Sequence, residues 1–96
     1  MSISFAQLSV AADHLRRMSR YYFHVFNDEE TRDDEGQEFP DVAAAHARAR
    51  YEVQRLAAHS ITEHGHLVLH HRIEVEDQDG NWIATVQFGD VVEIRQ

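Results

Sequence analysis

The chain has 96 residues, 43% apolar and 27% charged, with nine arginines, no lysine and 17 acidic residues, for a net charge of −8. That length makes one domain with a thin core, and its acidity repels phosphate backbones, which counts against a nucleic-acid partner. The absence of cysteine excludes disulfides, thiolate metal sites and cysteine nucleophiles.

Two further features bear on location. No apolar run approaches the roughly 20 residues of a membrane span. The N-terminal segment has no basic start, and Asp13 and His14 interrupt it, unlike a secretory signal. The expectation is a cytoplasmic protein that does not enter membranes.

In chain order, residues 4–17 read as an amphipathic helix. Ser4 with Gln7 forms a capping-box pattern, and Phe5, Leu8, Ala12 and Leu15 share one stripe. Tyr21 to Phe26 reads as a strand with Tyr21, Phe23 and Val25 on one face and Tyr22, His24 and Phe26 on the other. Asn27 to Gln37 is an acidic turn region with room for a short strand near Thr31–Asp33. Pro40 and Asp41 open the main helix, with Asp41 as N-cap and Gly65 as the stop. Its apolar stripe is Val42, Ala45, Ala49, Val53 and Leu56.

Leu67 to Glu76 alternates as a strand, and so does Trp82 to Phe88. A two-residue turn at Asp79-Gly80 would pair Val75 with Ala84, Ile73 with Val86 and His71 with Phe88, apolar against apolar. A last strand through Val92 and Ile94 is an option. The predicted fold is α+β: a small, mostly antiparallel sheet of three to four strands with one long helix packed on it and an additional N-terminal helix. Residues 1–17 form the extension and 18–96 the domain.

The ordered set Arg20-Tyr21-Tyr22-Phe23-His24-Val25, Asp33-Asp34-Glu35-Gly36, Phe39-Pro40-Asp41, Ile73-Glu74-Val75-Glu76-Asp77 and Val86-Gln87-Phe88 resembles a family of short bacterial proteins of unknown function. Members of that family begin near a Tyr-Phe-Phe-His-Val strand. The resemblance covers residues 18–88 and implies a fold without an activity. Met18-Ser19-Arg20 looks like the family's usual start. Residues 1–17 are therefore either the product of an upstream start codon or a helix covering one sheet face.

Three functional readings follow. The first is a non-enzymatic binding or self-assembly module, a homodimer or a complex with another protein. A strand apolar on both sides is usually covered on both, and one long helix covers one face, so Tyr22, His24 and Phe26 are the candidate interface. The second is an enzyme or small-ligand protein using His24 with acidic-loop carboxylates, Asp33 and Glu35 being the candidates. The third is a zinc or nickel binder. Of eight histidines, five lie between His59 and His71, and His64, His66, His70 and His71 are the candidate ligands. A polar helix end and loop explain these histidines better than a metal site does, so no cofactor is assigned. The acidic stretch lacks calcium-loop spacing and reads as a solvated charge run.

Overall fold

A computed structural model describes residues 18–96, so the helix read over residues 4–17 lies outside the described residues. The strands are β1 (Ser19–Phe26), β2 (Glu30–Thr31), β3 (Gln37–Phe39), β4 (Arg72–Asp77) and β5 (Trp82–Gln87). The helices are α1 (Val42–His64) and α2 (Phe88–Val91). All strand pairs are antiparallel, in the order β2-β1-β4-β5, with β3 also on β1. Five strands replace the three to four expected. The acidic stretch folds back twice on one edge: β2 pairs with Val25 and Phe26, and β3 with Ser19 to Tyr21.

Register places Phe23 opposite Val75 and Val25 opposite Ile73, with Ala84 and Val86 beside them on β5. Ala45, Ala49, Val53 and Ala57 of α1 bury against this face. The alanines let the helix axis approach closely. Val53, Ile73, Val75 and Val86 are the largest fully buried side chains, each worth roughly 1.5–3 kcal/mol of transfer free energy. Val42 lies on the same angular stripe but is 48% exposed, because it is the first helical residue and borders an open groove beside Trp82 and Ile83. Both predicted caps form. The Asp41 carboxylate accepts the N–H of Ala44 at 2.8 Å, and Gly65, at φ 71°, donates its N–H to the Ile61 carbonyl.

The β4–β5 hairpin corrects the turn and keeps the register. Asp77 donates its N–H to the Asn81 carbonyl, and Gly80 donates back to Asp77 at 3.1 Å, so the loop is Gln78-Asp79-Gly80. Gly80 takes the left-handed conformation at φ 82°. Three loop residues instead of two would slip the pairing by one. A bulge at Ile83, where Glu76 pairs with Trp82 and Val75 with Ala84, restores it. Apolar burial across Val75–Ala84 and Ile73–Val86 thus decides the register, and the backbone absorbs the mismatch.

Residues 67–71 do not extend β4. The His71 N–H turns back to the Val68 carbonyl at 3.0 Å, while the carbonyls of Leu69 and His71 accept the N–H groups of Gly89 and Phe88. These contacts dock α2 in place of a longer ladder. Phe88 therefore opens a helical turn, and the Asp90 carboxylate accepts the Gln87 N–H at 2.8 Å. No strand forms at Val92–Ile94.

Candidate functional site

Between the segments held by β2 and β3, the outer edge of β1 has no strand partner, and Asp33 fills the gap. Its Oδ2 accepts the Phe23 N–H at 3.0 Å. Its Oδ1 accepts the N–H groups of Glu35 and Gly36 at 3.1 and 3.0 Å. Its own N–H donates to His24 Nδ1 at 3.0 Å. Burial alone would raise the Asp33 carboxyl. The N–H groups of Gly36, Phe23 and Glu35, with His24 nearby, outweigh that and hold it below its usual value.

His24 is 5% exposed. Because Nδ1 accepts a backbone N–H, the neutral ring carries its proton on Nε2. That nitrogen lies 3.2 Å from Glu76 Oε2 and donates to it. The other Glu76 oxygen stands 3.7 Å from Arg32 Nη1. The cluster runs from the Asp33 amide through His24 and Glu76 to Arg32.

Gly36 closes the knot. It has φ 70°, and a Cβ there would sit 2.9 Å from both Arg20 Cγ and the Tyr21 carbonyl oxygen. Arg20 in turn donates to the Glu35 carbonyl at 2.7 Å and to Glu38 Oε1 at 3.3 Å. The motif segments Arg20–Val25 and Asp33–Gly36 therefore interlock.

Of the candidate ligand set, the structure brings His24 and Asp33 into direct contact. Glu35 joins through its backbone, and its side chain is exposed. The carboxylate facing His24 comes from Glu76 of β4 and not from the acidic loop. Sequence reasoning missed it. No local signal named it: the pairing of Tyr22 with Glu76, a matter of strand order, places Glu76 one diagonal step from His24.

Tyr22, His24 and Phe26 share the face away from α1. The Asp33 backbone and Glu76 cover His24, while Tyr22 and Phe26 are half-buried, with the Arg72 guanidinium 4.6 Å above the Phe26 ring. The first helix, offered as one cover for this face, lies outside the described residues, and within them Asp33 and Glu76 shelter His24.

The histidine-rich segment lines a separate hollow with Asn27, Asp28, His59, His64, His66 and His71. The rings of His64 and His66 stack at 5.5 Å, and His71 Nε2 lies 3.6 Å from Asp28 Oδ1. His70 is exposed in the turn. Among the described residues, no three histidine or carboxylate side chains converge to hold a metal ion. A third hollow of about 210 Å³ lies between Phe23, Val25, Ile73 and Leu56, with Asp33, Arg48 and Glu52 at its rim. It falls below the roughly 300 Å³ at which small-molecule pockets begin. Arg48 and Glu52 pair there at 2.8 Å.

This is a small α+β domain in which a polar cluster around Asp33 and His24 ties loop to strand. The chain belongs to the family described as Domain of unknown function (DUF6894), whose model matches residues 20–89. No curated protein and no solved structure matches it. Among the described residues, no helix is long and apolar enough to cross a membrane.

Proposed function

We propose that this chain is a non-enzymatic module that works by contact with another protein chain, forming a homodimer first of all. One observation carries the reading: His24 and Asp33, the two candidate-site residues that meet, have their polar atoms engaged by the fold itself. An acid–base residue needs a proton or lone pair within reach of substrate. His24 commits both ring nitrogens inside the chain, and the Asp33 carboxylate accepts three backbone N–H groups.

On an otherwise charged surface, several large apolar side chains stand exposed among the described residues. Tyr51, Ile61, Leu69, Trp82 and Ile94 are each roughly half exposed or more. The ligand reading through His24, Asp33 and Glu35 and the metal reading through His64, His66, His70 and His71 gain no open donor set from this geometry. The lack of cysteine and the likeness to short bacterial proteins support a bacterial cytoplasm as its setting.

Light scattering over a concentration series tests the proposal. The mass rises toward twice that of the chain as concentration increases. A mass fixed at one chain throughout removes the homodimer.

A further inference from the structure

The two edges of the sheet are unlike. One edge is guarded by β2 and β3, of two and three residues, with Glu30, Arg32, Glu38 and Pro40 in or beside them. Short strands, charges and proline are the usual means of preventing edge pairing. The other edge is β5, Trp82-Ile83-Ala84-Thr85-Val86-Gln87, with no charge and no proline. Among the described residues, no strand pairs with its outer side.

The direction of its backbone groups follows from the ladder. The Phe88 N–H donates to the His71 carbonyl, so by the period of two Ala84 and Val86 also turn toward β4. Thr85 and Gln87 then turn outward. The Gln87 N–H is occupied by Asp90. The Gln87 C=O, as the N-cap carbonyl of α2, accepts the first helical hydrogen bond, so the N–H and C=O of Thr85 are the pair left facing the open side. Beside them Trp82, 64% exposed, borders a shallow groove with Val42, Ala43, His46, Ile83 and Ala84.

We propose that β5 is the assembly edge and that β5 of a second copy occupies it, antiparallel about Thr85. This rests on the reading that the domain works through another chain, and it names the surface. The argument for self-pairing is electrostatic. A two-fold contact sets residues near the axis against their own counterparts. In a chain with 17 acidic residues, a carboxylate there would face its twin. About Thr85 the pairs are Thr85 with Thr85, Ala84 with Val86 and Ile83 with Gln87, and none is charged. Exposed tryptophan beside such a seam is a common anchor of protein contacts. The bulge at Ile83 bends the strand and keeps the pairing short. The contact is smaller than the standard roughly 20–30 residues per side.

The test uses the full chain in light scattering, with amide exchange read by NMR. Thr85→Pro removes an outward N–H and no β4–β5 bond, so it leaves the fold intact and abolishes the dimer. Trp82→Lys puts a charge on an exposed site and weakens dimerisation at least about tenfold, which stands even if the proline variant fails to fold. In the unaltered chain, the Thr85 amide exchanges more slowly as concentration rises, while that of Val86 stays protected throughout. A dimer that survives Trp82→Lys, with Thr85 exchange independent of concentration, overturns the edge and leaves the assembly reading standing. A chain that is monomeric at millimolar concentration removes both.

Discussion

The backbone N–H of Asp33 meets Nδ1 of His24 at 3.0 Å, while the Asp33 carboxylate takes the N–H of Phe23, the residue before it. One loop residue thus grips two successive positions of β1, from its main chain and its side chain. It completes a sheet edge that neither β2 nor β3 reaches. The histidine acts as an acceptor on one side and a donor on the other, which makes it a strut between the acidic loop and β4.

That role requires one tautomer. At neutral pH, nitrogen NMR of His24 reports the proton on Nε2 and an acceptor at Nδ1. Replacing Glu76 by Gln keeps this tautomer and costs about 0.5–1.5 kcal/mol of stability. A proton found on Nδ1 would contradict the geometry.

Asp33 makes stability depend on acid. Its carboxyl is held below the usual 3.8, so its contribution is full above that value and is lost as pH falls through the lower folded one. Urea unfolding between about pH 5 and pH 2 therefore shows falling stability. In Asp33→Asn the loss over that interval is smaller. At neutral pH this variant starts about 1–3 kcal/mol less stable, because its amide nitrogen faces one of the three N–H donors. Equal pH dependence in the two chains would count against this account.

Gly36 and Gly65 share the left-handed conformation but not their surroundings. A Cβ at Gly65 meets nothing within 4 Å, whereas at Gly36 it meets the Tyr21 carbonyl oxygen at 2.9 Å. Gly65→Ala carries the conformational cost alone, about 1 kcal/mol. Gly36→Ala adds a backbone collision and costs roughly 2–4 kcal/mol. Thermal or urea unfolding ranks the two, and equal losses would mean that the interlock with Arg20 and Tyr21 yields easily.

The histidine hollow makes a negative prediction. Zinc or nickel at micromolar concentration leaves the imidazole signals of His64, His66, His70 and His71 in place, since no three donors converge there. Saturable binding abolished by His71→Ala would restore the metal reading.

Local chemistry made part of this legible from the residues. Asp41 and Gly65 announce the ends of α1 because capping depends on a few neighbouring atoms. The alternation of Ile73, Val75, Ala84 and Val86 announces the hairpin register because a slip of one would expose that face. The turn itself was misread, since Asp79-Gly80 suits a two-residue or a three-residue loop and the compensating bulge at Ile83 leaves no local signal. Residues 67–71 alternate like a strand, but docking α2 takes their carbonyls instead.

The candidate site divides in the same way. Composition and pattern determined an acidic α+β domain, its long helix and its central strands, and offered His24 and Asp33 as candidates without showing that they meet. Only the tertiary structure decided that Glu76 faces His24, that the chain covers this histidine with its own loop, and that β5 is left at an open edge. Those outcomes depend on strand order and on which backbone N–H groups lack a ladder partner, and both arise between segments far apart in the chain.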